Sequence, residues 1–289
     1  MRENEITDIA EGYIPKKTLG EAFERYATEV NPKKRGGHWE VIRLNKLRST
    51  AGGVLKPNLR LRACSSDLLA RCRDGRLSEV SDGSVLHEIA LLSAVFERAR
   101  KEWGWLRDNP VKGISRRPKP AHRDKVLTRP EMRKILRALG DDRETASGRV
   151  ALVFAFALCT GMRAGEICGM QWSHVHDSHV VLPMTKNGTL RNVPLSRKAK
   201  LILERARGID EASCFGVAGP TLDTIFRRGR DPAGVTGVHF HDTRHYAATQ
   251  LAKKLSMLEL CRMFGWRDPK HALIYFNATA ADLAKLLDK

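Results

Sequence analysis

Apolar residues recur at helical spacing through most of this chain, and at strand spacing in one short stretch. Thr18-Leu19-Gly20-Glu21 is a capping-box pattern that opens a helix to about Val30, where Asn31-Pro32 stops it. A second helix is predicted over His38–Leu47 and a shorter one from Ser65 to Arg73, ended by Asp74-Gly75. A long one follows from Ser84 to about Trp103, with Leu86, Ile89, Ala90, Ser93 and Phe96 on one face. Asp108-Asn109-Pro110 breaks that pattern. The first part of the chain therefore reads as all-helical.

Thr128-Arg129-Pro130-Glu131 starts the pattern again, with a capping box and proline in the first turn. Helices are predicted at about 130–139 and 146–159. The run Val150–Cys159 reads as a core helix, since it is too short to span a bilayer. Glycine in Thr160-Gly161-Met162-Arg163-Ala164-Gly165-Glu166 closes one helix before another begins. The period then shortens, predicting strands at Ser173–Val175, His179–Leu182 and Leu190–Pro194. Asn187-Gly188 is a hairpin-turn pair that sets Lys186 at a hairpin tip. Helices resume at about 196–206, 221–228 and 241–254. Ser256–Glu259 caps the next, Asp268-Pro269 starts a short one carrying Tyr275, and Ala278–Leu287 forms a last amphipathic segment that docks on its own domain or on a neighbouring copy. The fold class expected is mainly α with a small antiparallel β-sheet. The domains expected are a flexible arm at 1–16, a helical domain at 17–113, a basic linker at 114–125 with two prolines and no apolar period, and a second domain at 126–289.

Charge narrows the class of partner. Fifty-one lysines and arginines against 33 acidic residues give a formal charge of +18 and a pI near 10.0. A balance so basic points to a polyanion, with DNA or RNA first. The six cysteines form no CxxC pair and read as reduced, mostly buried thiols of a cytoplasmic protein. The polar first 18 residues lack the apolar core of a signal peptide, and no membrane association is expected. His174, His176 and His179, with Cys168 nearby, lack a fourth ligand at usual spacing, and a polar hairpin edge is the expected reading.

The candidate chemistry is spread over the second half. His241 and Arg244 lie three apart at a helix start, one turn from each other, with His245 beside them. Arg163, Lys186, Trp266 and Tyr275 complete the set. Taken singly, each has an ordinary explanation: a surface ion pair with Glu166, a solvated turn lysine, a packing indole, a core phenol. Together they hold what moving a phosphodiester requires. Guanidiniums match the phosphate oxygens, a phenol can attack, and a lysine can protonate the leaving oxygen. Tyr246 is the rival nucleophile, but its place after His245 turns it off the His241/Arg244 face.

These motifs, from Thr160-Gly161-Met162-Arg163 through the Lys186 hairpin and His241-Asp242-Thr243-Arg244-His245 to Gly265-Trp266 and Tyr275, resemble the tyrosine recombinase (phage integrase) family over roughly residues 125–280. Residues 17–113 resemble its core-binding domain more weakly. The resemblance implies that Arg163 and Arg244 clamp the scissile phosphate and that Lys186 is the acid for the leaving 5′-hydroxyl. His241 would transfer a proton or hydrogen-bond the phosphate, and Tyr275 would form a 3′-phosphotyrosine. Glu166 and His245 would be supporting residues that brace Arg163 and the His241 helix. Trp266 stands where the family more often has histidine, and an indole N–H donates but exchanges no proton. Thr243 replaces a commonly apolar residue, which predicts looser packing there. The function implied is site-specific recombination without cofactor, metal or ATP. Four copies would act on two double-stranded DNA sites through a Holliday junction, with accessory directionality or DNA-bending proteins as further partners. The alternatives are a type IB topoisomerase-like relaxing enzyme and a catalytically idle DNA-binding protein of the same fold.

Overall fold

The computed structural model describes residues 14–34, 36–50, 55–115, 127–183 and 190–276. The chain divides into two compact units, Met1–His122 and Arg123–Lys289. Residues 116–125 of the predicted linker, the Lys186 hairpin tip and the segment 278–287 lie outside the described residues.

The first unit holds four helices among the described residues: α1 (Leu19–Glu29), α2 (Gly37–Thr50), α3 (Ser66–Leu77) and α4 (Asp82–Lys101). Thr18 and Glu21 close the expected capping box on α1. α3 runs two residues past the predicted stop, with Gly75 inside it. The cause is tertiary. In that last turn Arg76 sends Nε and Nη2 to the two carboxylate oxygens of Glu88 on α4, at 2.9 and 2.7 Å, and both residues are buried. The same pair corrects the predicted face of α4. Its buried stripe is Val85, Glu88, Leu91, Leu92, Val95, Phe96 and Ala99, so Phe96 alone of the predicted face is fully buried and Ala90 is exposed. A carboxylate at a core position disguised the stripe, because only a partner elsewhere in the chain makes its burial tolerable.

The second unit comprises α5 (Arg129–Leu139), α6 (Ala146–Thr160), the short α7 (Ala164–Cys168), strands β1 (His179–Leu182) and β2 (Arg191–Pro194), then α8 (Arg197–Ala206), α9 (Gly219–Arg230), α10 (Asp242–Leu251), α11 (Met257–Phe264) and α12 (Lys270–Leu273). α6 is apolar nearly all round and packs against α5, α8, α9 and α10, which makes it the centre of this unit. β1 and β2 pair antiparallel, His179 with Pro194 and Leu182 with Arg191. The strand predicted at Ser173–Val175 is instead a 3₁₀ turn, Trp172–His174, after which Val175 makes a single bridge to Val180. Two residues of local alternation could not outweigh that turn. The mainly helical architecture with one small antiparallel sheet is as expected.

Two glycines shape the ends of helices that meet at the site. Gly161 caps α6 at φ 64°, and a Cβ there would lie 2.5 Å from Cζ of Phe264. Gly265 caps α11 at φ 66°, and a Cβ there would lie 2.7 Å from Nη1 of Arg191. Each position needs both the left-handed conformation and the missing side chain.

Candidate active site

The site is built where three helix ends and one strand converge. α6 ends at Gly161, and the chain then passes through Arg163 into α7. Glu166, in the first turn of α7, accepts from the Arg163 backbone N–H and from Arg163 Nη1, both at 2.8 Å. From β2, Arg191 Nη2 donates to the same carboxylate at 2.6 Å. Arg191 Nη1 reaches the carbonyl of Phe264, the last residue of α11, at 2.5 Å. From α10, Arg244 donates to that same Phe264 carbonyl at 2.7 Å and to the Gly161 carbonyl at 2.6 Å. Those carbonyls belong to the unsatisfied set at the C-termini of α6 and α11, where the helix dipole favours a cation. The two arginines thus satisfy orphan acceptors and gain from the dipoles at once.

Electrostatics follow from this crowding. Burial, and then the guanidiniums of Arg163 and Arg191, lower Arg244 to about 9, which still leaves it charged at neutral pH. Burial also lowers Arg191, with Glu166 opposing and Arg163 adding to the effect. Burial pushes Glu166 up, but the Arg163 N–H and the charges of Arg191 and Arg163 prevail and hold it below the usual carboxylate range. Three guanidiniums around a single carboxylate leave this group an excess of positive charge, the complement of a phosphate.

The aromatic side completes the arrangement. Trp266, just after Gly265, lies parallel to Tyr275 with ring centres 5.6 Å apart and planes 6° from each other. Its ring also faces the Arg244 guanidinium at 5.5 Å, and the Phe264 ring does so at 4.6 Å. The Tyr275 hydroxyl meets Nδ1 of His245 at 2.7 Å. Burial raises the phenol to about 12, against a smaller opposite pull from Arg244. Tyr275 follows α12 in a turn, its N–H bonded to the Ala272 carbonyl, and is not carried within the helix as predicted. α12 ends at Leu273, too short to reach it.

Of the residues singled out in the sequence, Arg163, Glu166, Arg244, His245, Trp266 and Tyr275 come together. His241 caps the N-terminus of α10, exposed, its ring edge-on to His245 at 5.7 Å. Arg244, by contrast, is 5% exposed, so the two basic residues share a helix end but not an environment. Lys186 belongs to the connection between β1 and β2, outside the described residues. His245 was expected to brace the His241 helix; its described bond is to Tyr275. Thr243 is fully buried and donates to the Phe240 carbonyl at 2.7 Å, so its hydroxyl is satisfied and does not loosen the packing. Tyr246 packs partly buried against the apolar core. His176 stacks on His179, His174 accepts from the Gln171 N–H, and among the described residues no group of three metal-binding side chains occurs. The residue that sequence reasoning missed is Arg191. Its signal was an arginine at an inward slot of a strand, two residues before Val193 on the same face.

Comparison with known proteins agrees with this geometry. The pattern of the phage integrase family matches residues 125–282. A Haemophilus influenzae protein assigned as an integrase/recombinase is 33% identical over 294 residues, covering 99% of this chain and 95% of its own. The shufflon-specific DNA recombinase of Escherichia coli is 31% identical over 288 residues, covering 95% of this chain and 73% of its own. Among solved structures, a lambda integrase tetramer bound to a Holliday junction superposes with a TM-score of 0.75 at 21% identity, covering 90% of this chain and 77% of that one. The Tn1549 transposon integrase in complex with circular intermediate DNA gives 0.70 at 16% identity, covering 94% and 99%. The chain belongs to the phage integrase family, the tyrosine recombinases, and is a site-specific DNA recombinase of that type.

Proposed function

We propose that the chain cuts and rejoins double-stranded DNA by transesterification at Tyr275. Arg163 and Arg244 hold the scissile phosphate and stabilise charge on its non-bridging oxygens. The Tyr275 oxygen attacks phosphorus, leaving a 3′-phosphotyrosine, and Lys186 protonates the departing 5′-oxygen. His241 donates to the phosphate, and Trp266 holds the phenol in plane. A 5′-hydroxyl from the partner duplex then attacks the phosphotyrosine. One phosphodiester is exchanged for a bond of similar energy, so no ATP is consumed. Residues 17–113 serve as the core DNA-binding domain and 126–289 as the catalytic domain. Four copies on two sites exchange strands in pairs, an assembly supported by the tetrameric lambda integrase neighbour.

The observation that carries this reading is the Trp266 ring, which contacts both the phosphate-binding guanidinium of Arg244 and the Tyr275 phenol. A nicked suicide substrate tests it. The native chain and Tyr246→Phe are expected to leave a denaturation-resistant protein–DNA adduct, and Tyr275→Phe none. An adduct that survives Tyr275→Phe would overturn the nucleophile. Relaxation of plasmids lacking the recombination sites would favour a topoisomerase instead.

A further inference from the structure

We propose that His245 is the general base that takes the Tyr275 proton during cleavage and returns it during rejoining. The proposal rests on the reading of Tyr275 as nucleophile. Its ground is geometric. Nδ1 of His245 lies 2.7 Å from the phenolic oxygen, within the reach that proton transfer needs before DNA is bound. The two rings meet at 42°, and Trp266, nearly parallel to Tyr275, limits how far the phenol can swing from that contact. His245 is the residue after Arg244 on α10, so one helix carries both a guanidinium of the phosphate clamp and the proposed acceptor.

The need for an acceptor is also physical. Burial keeps the phenol protonated well above neutral pH. Glu166, the carboxylate of the cluster, is held by Arg163 and Arg191 and is a poor base there. An imidazole can accept a proton at one ring nitrogen and return it, which suits the task.

In cleavage the phenol O–H breaks and its proton moves to Nδ1, giving an imidazolium. The phenolic oxygen bonds to phosphorus, and the bond from phosphorus to the 5′-oxygen breaks. In rejoining, the 5′-hydroxyl attacks phosphorus and gives its proton back to Lys186, the acid of the proposed cleavage; the bond from phosphorus to the phenolic oxygen breaks, and the leaving phenolate takes its proton back from the imidazolium. One residue therefore serves both directions, as base and then as acid.

The test uses the full chain on a suicide substrate, with DNA binding measured separately by gel shift. His245→Asn leaves a hydrogen-bonding group near the place of Nδ1 without its basicity; His245→Phe keeps the ring and removes the acceptor. Both are expected to bind DNA and to cleave about 100-fold more slowly or worse. Trifluorotyrosine at position 275, a far more acidic phenol, is expected to recover at least about ten-fold of the rate lost in His245→Asn, because the ionised nucleophile needs no acceptor. Native cleavage rates in either variant, failure of both to bind DNA, or no recovery with the acidic phenol would overturn the proposal. Tyr275→Phe, run alongside, tests the nucleophile by itself: an adduct there removes the underlying reading, while its absence with no recovery removes only the role of His245.

Discussion

Glu166 sits between two arginines that it alone pairs among the described residues, and its charge state sets how they are held. Its folded pKa lies below its ordinary value of 4.5. A carboxylate depressed in this way contributes stability that is complete above the unfolded pKa and is lost as pH falls through the lower folded value. Glu166→Gln is therefore expected to lose several kcal/mol at neutral pH, on the order of 3–5 for a broken buried pair. The gap from the native chain should narrow as pH drops below about 4.5. Urea unfolding of both chains across that range checks it, and a gap that widens in acid would refute it. At this scale the sequence was partly legible. Arg163 with Glu166, and Trp266 ahead of Tyr275, could be read from spacing. For Arg191 spacing offered only the inward strand slot and not its role, because what places it is a carboxylate 25 residues away and a carbonyl 73 residues on.

At the scale of elements, caps were readable and tertiary overrides were not. Thr18, Thr128 and Ser256 each form the capping box their local pattern announces, since all the partners lie within four residues. The extension of α3 through Gly75 and the buried stripe of α4 depend on Arg76 meeting Glu88, a contact no local window contains. Two glycine substitutions separate these situations. Gly75 is inside a helix with open space where a Cβ would stand, so Gly75→Ala is expected to stabilise the first unit by roughly 0.5–1 kcal/mol. Gly265→Ala should cost about 1–2 kcal/mol for the left-handed backbone alone. It should also slow cleavage, because the new methyl pushes on an Arg191 guanidinium already bound on two sides. Thermal unfolding and adduct yield distinguish the outcomes; equal effects from the two changes would contradict the assignment.

For the whole molecule, the balance of +18 is the property most directly tied to the partner. Binding built on phosphate contacts releases counterions, so affinity for DNA is expected to fall log-linearly with salt. With six or more such contacts the loss is at least about 1,000-fold between 50 and 200 mM, and a flat response in a filter-binding titration would exclude this mode. The mainly helical class and the family resemblance of the second half were visible from the chain alone.

The arginine cluster bears on how such a protein can change over time. The Phe264 carbonyl receives Arg191 and Arg244 together, and Arg244's other recorded bond goes to a glycine carbonyl. Every amino acid supplies that oxygen, so replacement of Phe264 leaves it in position while the end of α11 keeps its shape, whereas Gly161 is held to glycine by its left-handed backbone and the crowding of the Phe264 ring. Lineages can thus rewrite surrounding side chains extensively and still orient the same guanidinium. Insertions or deletions that move either helix ending, by contrast, would be purged.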